Sequence, residues 1–236
     1  MLKYEQIALD LQDKILSGKY KENEQLPLEK EMCEYYNVSR ITVKKAVDKL
    51  VMSGLVFKRR GAGTFVKSVD NENVNEISKS RQFAGFTNTS LCKKVTSKVL
   101  EFKVVNPSEE IAKKLKVNQS DFVYYICRVR YADNEPYVIE YTYMPIDIII
   151  GLKMGILEKS IYEYIEKELK LKIKSAHRTI RALLPTELEQ KYLEASKYTP
   201  LLEVEQIAFL DNGQPFEYSK SRHRNDKFEF KSISVR

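Results

Sequence analysis

Three cations stand close together in the segment NVSRITVKKAVDKL, which covers residues 37–50. Arg40, Lys44 and Lys45 occupy the first half of a predicted helix, and Ser39 takes the N-cap position. The N-terminal end of a helix carries a partial positive charge, so each cation there costs from a few tenths to about 1 kcal/mol unless an anion compensates it. We therefore expect a negatively charged partner at this helix.

The flanking sequence predicts two further helices that would position these cations. Apolar residues at i, i+3 and i+4 spacing predict a first helix over residues 3–17, closed by Gly18. A second helix is predicted from the segment LPLE at residues 26–29 to about Tyr36. Two helices joined by a short turn, here over about residues 29–48, are typical of a helix-turn-helix. Its second helix reads the DNA major groove with its N-terminal residues.

A basic hairpin is predicted after the third helix. The segment LVFKRRGAGTFV contains two short β-type runs, at residues 55–58 and 64–66, around a turn with Arg59, Arg60 and two glycines. Glycines allow a close approach of the backbone to a partner, and arginines reach phosphates or a minor groove. By itself this hairpin is explained as well by a solvated basic surface. Beside the third helix, a wing over residues 55–67 is favoured.

These segments resemble the DNA-binding domain of the GntR family of bacterial transcription regulators. The resemblance is carried by YEQIALDLQDKILSGKY, by LPLEKEM and by YYNVSRITVKKAVDKLVMSGLVFKRRGAGTFV, all at the spacing of the family. It implies a winged helix-turn-helix DNA-binding domain at residues 1–68. The DNA contacts that it implies come from the second and third helices and from the wing tip: Lys30, Ser39, Arg40, Thr42, Lys44, Arg60, Gly61 and Gly63.

Two positions depart from the pattern of the family. Leu28 stands where the family usually has a small residue, often Ser, and a leucine can neither cap a helix nor bind a phosphate. Lys44 replaces the usual arginine. Lysine binds phosphate as a point charge but does not form the guanidinium fork that is favoured for guanine. Base recognition is therefore expected to depend mainly on Arg40.

A second domain is predicted after a polar segment. Residues 69–81 are rich in Asn, Ser and Glu and predict a linker, which leaves residues 82–236 for the second domain. Within it the pattern helix, strand, turn, strand occurs twice, at residues 107–141 and 185–218, with Pro107 and Pro185 78 residues apart. The repeat predicts an α+β domain with a mostly antiparallel sheet.

Cations also stand close together in this second domain. In the predicted strand DFVYYICRVRYA, alternation places Arg128 and Arg130 on the same face. Two such cations repel each other unless an anion or a carboxylate lies between them. A salt-bridged surface or dimer pair and an anion-binding site are both open explanations. Ser160 opens an S-x-x-E capping box, and a helix N-terminus can also bind phosphate.

The second domain resembles the UTRA effector domain of the HutC branch of GntR regulators, whose fold is like that of chorismate lyase. The resemblance is carried by GFT at residue 85, SKVLEF at 97, RVRYADNEPYVIEYTYMP at 128, SIYEYIEKEL at 160 and DNGQPFEYSKSRHRNDKFEF at 211. In members that sense phosphorylated sugars, the arginine pair and the SxY motif hold the phosphate, and acidic residues bind sugar hydroxyls. The implied effector-binding residues are Arg128, Arg130, Ser160, Tyr162, Glu140, Glu217 and Thr87.

The composition narrows the class of protein further. The chain has 236 residues, a formal net charge of +7 and a pI of about 9.0, which is compatible with a nucleic-acid partner. It has no run of 18 apolar residues and no signal peptide, so a cytoplasmic location without membrane association is expected. The three cysteines and two histidines lack metal-ligand spacing, so neither a metal nor another cofactor is expected.

The favoured interpretation is a homodimeric transcription regulator, a repressor rather than an enzyme, that binds a palindromic double-stranded operator and responds to a sugar phosphate. One alternative is a chorismate-lyase-like enzyme with an accessory DNA-binding domain. Against it, the sequence shows no nucleophile–base pair and no nucleotide-binding glycine motif. A second alternative is an architectural DNA-binding protein without a ligand, but such a protein would not need the large second domain.

Overall fold

The structure, a computed structural model, describes residues 2–68 and 94–230, which form two compact units at residues 2–68 and 94–229. Thr87, the GFT segment and the predicted linker lie outside the described residues. None of the helices within the described ranges is long and apolar enough to span a membrane.

The first unit consists of three helices followed by a β-hairpin. Its elements are α1 (Lys3–Leu16), α2 (Glu29–Tyr36), α3 (Arg40–Met52), β1 (Val56–Arg59) and β2 (Gly63–Val66). The predicted order is confirmed, with boundaries that differ by one to three residues. Asn37 adopts the left-handed conformation at φ 49°, which ends α2 and turns the chain towards α3. The predicted N-cap is also confirmed, because the Ser39 side chain accepts a hydrogen bond from the Thr42 N–H.

A single apolar core holds these three helices and the hairpin together. The stripes of α1 and α3 face each other, and the hairpin closes the core from the side. The largest contributions come from Leu11, Leu26, Leu50 and Leu55, each at most 1% exposed. Burying each such side chain contributes roughly 1.5–3 kcal/mol. The core therefore fixes the start of α3 and the hairpin relative to each other within this unit.

The second unit is built on a six-stranded antiparallel sheet with the strand order β3-β4-β5-β8-β7-β6. The strands are β3 (Val95–Val105), β4 (Val123–Ala132), β5 (Glu135–Pro145), β6 (Ile173–Leu183), β7 (Leu201–Leu210) and β8 (Pro215–Arg224). The helices are α4 (Glu109–Leu115), α5 (Met154–Leu157), α6 (Ile161–Glu163) and α7 (Glu187–Leu193), with a π-helical turn, Tyr164–Glu168, after α6. The α+β fold class with a mostly antiparallel sheet is confirmed.

The internal repeat is visible in the structure. Helices α4 and α7 start at Glu109 and Glu187, and strands β4 and β7 start at Val123 and Leu201, in each case 78 residues apart. In the first repeat, Asp133 and Asn134 both have positive φ, at 52° and 66°. This is the backbone conformation of a type I′ turn, which suits the twist of a two-residue hairpin.

The two faces of the sheet are covered by different helices. On one face, α5, α6 and the π-helical turn pack onto a cluster that includes Ile126, Met144 and Phe216. On the other face, α4 and α7 each cover one end of the sheet with a buried leucine, Leu115 and Leu193. Arg128 and Arg130 share the first face with Ile126, as alternation predicts.

The segment after Ser160 differs from the prediction of a regular α-helix with a complete capping box. Ser160 does cap α6, since its side chain accepts a hydrogen bond from the Glu163 N–H. The Glu163 carboxylate, however, accepts from the ammonium of Lys167 at 2.6 Å. A charged partner one turn away competes with the neutral N–H of Ser160, so the box is half formed.

Candidate functional site

The exposed start of α3 forms the first candidate site. Arg40, Lys44 and Lys45 are all exposed, and the Arg40 side chain is 82% exposed. The Nε of Arg40 donates to Glu29 Oε2 at 2.8 Å, and this bond raises the pKa of Arg40. Glu29 therefore supplies part of the negative charge that the sequence analysis assigned to an external partner. Within the described residues, no carboxylate pairs with Lys44 or Lys45.

Exposed polar groups surround these cations. The hydroxyl oxygens of Ser39 and Thr42 lie 3.0 Å apart at the N-terminal end of α3, and Lys30 is exposed in the first turn of α2. Leu28 is 54% exposed and offers no capping atom. Its own N–H donates to Glu31 Oε2 at 2.7 Å, so Glu31 stabilises the start of α2. The start of α3 therefore presents cationic and hydroxyl groups to solvent, and such groups can bind phosphates or base edges.

The tip of the hairpin carries the remaining predicted DNA contacts. Arg60 and Gly61 are exposed, and Gly61 has φ 74°, a conformation that favours glycine. The structure explains why a glycine occupies position 63, since a Cβ at Gly63 would lie 2.4 Å from Gln25 Nε2. That nitrogen donates to the carbonyl of Ala62 at 2.8 Å and holds the tip in place.

Buried arginines form the second candidate site, on the first face of the sheet. Arg128 is 6% exposed, and its Nε donates to Glu140 Oε2 at 2.6 Å. Its Nη1 donates to the carbonyls of Leu157 and Lys159 at 2.9 and 3.1 Å. Lys159 directly precedes Ser160, so this arginine connects strand β4 to the start of α6.

Arg130 lies against the same carboxylate as Arg128. The Nη1 of Arg130 lies 3.8 Å from Glu140 Oε2, and Arg130 is 3% exposed. Burial lowers the pKa of Arg130 to about 10, although Glu140 acts in the opposite direction. Burial alone would raise the pKa of Glu140, but the two guanidinium groups outweigh it and hold that pKa below the ordinary value. The carboxylate that the sequence argument required between the cations is therefore Glu140.

Further polar side chains meet on the same face. The Gln206 Nε2 donates to the Tyr162 hydroxyl and to Glu217 Oε1, both at 3.0 Å. The Ser219 hydroxyl donates to the same Glu217 oxygen at 2.7 Å, and Arg178 Nε donates to Gln206 Oε1 at 2.7 Å. Burial raises the pKa of Glu217 in spite of these hydrogen bonds.

The structure thus brings together most of the predicted effector residues and adds others. Arg128, Arg130 and Glu140 form one group, which reaches Ser160 through the carbonyl of Lys159. Tyr162 and Glu217 form a second group, joined by Gln206. Thr87 lies outside the described residues.

Gln206, Arg178 and His223 are not among the effector-binding residues predicted from the sequence. Gln206 could have been found from the repeat, because it lies 78 residues after Arg128. His223 stacks on Phe228 with 3.9 Å between ring centroids, and burial lowers its pKa to about 4, so it is neutral at pH 7. No sequence signal pointed to Arg178, since its contact with Gln206 depends on which strands lie side by side.

A winged helix-turn-helix followed by an α+β unit with buried charged side chains defines a class of proteins, the DNA-binding regulators with an attached effector domain. Comparison with protein-family models makes the assignment specific. The model described as bacterial regulatory proteins, gntR family, matches residues 3–66, and the UTRA domain model matches residues 90–229. The chain therefore belongs to the GntR family of bacterial transcription regulators and carries a UTRA domain.

Individual relatives are similar over the whole chain. The HTH-type transcriptional regulator GmuR of Bacillus subtilis (strain 168) is 42% identical, with 100% of both chains covered. The mannosyl-D-glycerate transport/metabolism system repressor MngR of Escherichia coli (strain K12) is 31% identical, with 99% of this chain and 96% of MngR covered. The crystal structure of the possible transcriptional regulator YydK from Bacillus subtilis subsp. subtilis str. 168 superimposes with a TM-score of 0.78 at 30% identity, with 100% of both chains covered. These are transcription regulators and not enzymes.

Proposed function

We propose that this protein is a cytoplasmic repressor that binds a palindromic operator as a homodimer and whose DNA binding is controlled by a sugar phosphate. The main support for the effector class is the buried arginine pair Arg128 and Arg130, which lies against the carboxylate of Glu140 on one face of the sheet. The DNA-binding part of the proposal is supported by the exposed cations of α3 and of the wing tip.

The charge of the buried pair favours an anionic effector. Two buried guanidinium groups lie side by side against the Glu140 carboxylate, and buried positive charge is stabilised by hydrogen-bonded negative charge. A phosphate adds negative charge and up to three acceptor oxygens, which suit the donor geometry of arginine. A neutral sugar would supply no such charge. Ser160, next to the carbonyl that holds Arg128, is in a position to contribute its hydroxyl and neighbouring N–H groups.

The sugar part of the proposal is supported by the second polar group. Glu217, Tyr162 and Gln206 offer carboxylate, hydroxyl and amide atoms, which are the groups that bind sugar hydroxyls. The family resemblance assigns Tyr162 to the phosphate, but we assign it to the sugar because Gln206 joins it to Glu217. The relative MngR is named as a repressor of a system that transports and metabolises mannosyl-D-glycerate, a sugar derivative with an acid group. Both points support a hydroxylated, negatively charged effector.

On the DNA side, Arg40 is proposed to read a base, and Lys30, Ser39, Thr42 and Lys44 are proposed to contact phosphates or base edges. Arg60, Gly61 and Gly63 would enter the minor groove at the wing tip. In a symmetric dimer, the two α3 helices would meet half-sites about one helical turn apart. An effector with different affinities for the DNA-competent and DNA-incompetent arrangements would then shift operator binding by about 5- to 150-fold, for a coupling of roughly 1–3 kcal/mol.

Ligand-dependent operator release tests this proposal. A binding duplex is first selected from a random pool, and the affinity of the full chain is then measured by fluorescence anisotropy with and without a panel of hexose phosphates, the matching free hexoses and inorganic phosphate. We expect at least one hexose phosphate, and no free hexose, to weaken duplex binding. Ser160→Ala should reduce this response with duplex binding intact, whereas Arg40→Ala should lose duplex binding but keep thermal stabilisation by the same hexose phosphate. If no selected duplex is bound, or no phosphorylated ligand changes binding, the proposal is wrong.

A further inference from the structure

We propose that Arg178, on the edge strand β6, is a positioning residue that sets the effector specificity of this protein. It holds the side-chain amide of Gln206 in one orientation, and this amide in turn holds Glu217 and Tyr162 for recognition of sugar hydroxyl groups. The inference rests on the proposed sugar-phosphate effector and divides its recognition into two parts. The arginine pair Arg128 and Arg130 binds the phosphate, and the side chains around Gln206 select the sugar.

The internal repeat relates Gln206 in the second half of the site to Arg128 in the first half. Gln206 is the counterpart of Arg128, because the two lie at the same position of strands β4 and β7, which start at Val123 and Leu201. Arg128 bonds a carboxylate on the neighbouring strand β5, and Gln206 bonds a carboxylate on the neighbouring strand β8. A neutral amide thus replaces a guanidinium in the second repeat. The two halves of the site therefore differ in charge although their backbones correspond.

Arg178 supplies the cation that the second repeat lacks at this position. In the sheet, Arg178 is the direct cross-strand partner of Gln206, from the strand on the other side. Its Nε donates to Gln206 Oε1 at 2.7 Å. The first repeat has a valine, Val99, as the cross-strand partner of Arg128 on its own edge strand. The arginine at the edge is thus specific to the second half of the site.

The hydrogen bonds of Gln206 fix the orientation of its side-chain amide. The side-chain amide of glutamine has an oxygen that accepts hydrogen bonds and a nitrogen that donates two. The oxygen and the nitrogen have similar size and differ in these roles. Because Arg178 donates to the oxygen, both N–H groups are directed to the Tyr162 hydroxyl and to Glu217. These two oxygens then have fixed positions and fixed donor or acceptor roles. Hydroxyl groups that differ in configuration are distinguished by such a fixed pattern, because a mismatched hydroxyl leaves a buried polar atom unpaired.

Binding measurements on the full chain test this inference. Calorimetry is carried out with inorganic phosphate and with three hexose 6-phosphates. Mannose 6-phosphate and galactose 6-phosphate each differ from glucose 6-phosphate in the configuration of one hydroxyl. For Arg178→Gln, we expect phosphate affinity to stay within about twofold of the wild-type value, and affinity for the preferred hexose 6-phosphate to fall about tenfold. The preference among the three hexose 6-phosphates should shrink to within about threefold. Arg178→Lys, which keeps a donor, should restore part of this preference.

Arg181→Gln is the matched control, because Arg181 lies on the same strand but bonds Glu203 and Glu205 on the opposite face of the sheet. It should behave like the wild type with all four ligands. Equal losses of phosphate and hexose-phosphate affinity in Arg178→Gln, or an unchanged preference among the sugars, would overturn the inference and leave the proposed function intact. A wild-type chain that binds none of the four ligands would instead overturn the proposed effector class, and the inference with it.

Discussion

Glu140 is the residue on which the electrostatics of the second unit depend most directly. Its Oε2 lies 2.6 Å from Arg128 Nε and 3.8 Å from Arg130 Nη1, and both arginines are at least 94% buried. Replacing a complete buried ion pair by apolar groups can be neutral, but removing one partner leaves an uncompensated charge in a medium that solvates it poorly. The effect of a substitution at Glu140 should therefore exceed that at any surface ion pair.

We expect Glu140→Gln to destabilise the second unit by about 3–5 kcal/mol, since the buried Arg128 then loses the carboxylate that its Nε is bonded to. Urea denaturation followed by circular dichroism measures this loss. Glu101→Gln is the control, because Glu101 pairs with Lys103 at the surface, where both side chains are about half exposed, and it should change stability by at most about 1 kcal/mol. Added phosphate should restore part of the loss in Glu140→Gln if the arginine pair binds anions. Equal stability of the two variants would show that Glu140 does not compensate the arginines.

The residues that could be predicted from the sequence are those whose environment follows from their own strand or helix. Alternation along a single strand was sufficient to place Arg128 and Arg130 on one face, and local capping rules were sufficient for Ser39. The partners could not be predicted in the same way. The Arg40–Glu29 bond depends on how two helices cross, and the Arg178–Gln206 bond depends on the register of two strands 28 residues apart in sequence.

At the scale of elements, α4 is fixed to the sheet by a charged cluster on the second face. Lys114 of α4 contacts Glu205 of β7, and the Tyr218 hydroxyl of β8 donates to the same carboxylate at 2.9 Å. Arg181 of β6 lies 2.8 Å from the other oxygen of Glu205. The hydrogen bond from Lys114 is the main cause that lowers the pKa of Glu205 to about 2.

This cluster predicts a specific dependence of stability on pH. A carboxyl group with a lowered pKa in the folded state stabilises the fold fully above its ordinary pKa of 4.5, and this contribution is lost as the pH falls from about 5 to about 2. We therefore expect Glu205→Gln to be less stable than the wild type at pH 7 and to lose less stability on acidification over that range. Urea midpoints measured between pH 7 and pH 2 give both curves. Glu109→Gln, at an exposed pair on the same helix, should follow the wild-type curve; parallel curves for Glu205→Gln would contradict the prediction.

Elements with strong local signals were predicted to within one to three residues, among them the three helices of the first unit and the repeated helix-strand-turn-strand pattern. The exception is the segment after Ser160. There the sequence has ordinary helical periodicity, but the chain forms a π-helical turn in which Tyr164 reaches back to the carbonyl of Ile150 at 2.8 Å. A contact with a residue outside the helix does not alter the spacing of apolar residues along the helix, so it cannot be predicted from that spacing. The order and pairing of the six strands depend on such contacts as well.

At the scale of the whole molecule, the proposal requires two copies of the chain to bind one operator. In the described part of the second unit, β3 and β6 are the two edge strands of the sheet. Most residues of β6 are exposed. An exposed edge strand has N–H and C=O groups that can pair with another chain. A dimer would also bring the N-terminal ends of two α3 helices to one duplex. Each phosphate-binding residue would then make its contact twice per complex.

The salt dependence of DNA binding measures this doubling. Each phosphate contact made by a lysine contributes about one unit to the slope of log affinity against log salt concentration. If Lys44 binds a phosphate in a dimer, Lys44→Gln should lower this slope by about two units per complex, whereas a bound monomer predicts about one. The control is Lys116→Gln, an exposed lysine of the second unit, which should leave the slope unchanged. Equal slopes for wild type and Lys44→Gln would mean that Lys44 does not touch a phosphate, and a one-unit change would mean that each duplex binds a single copy of α3.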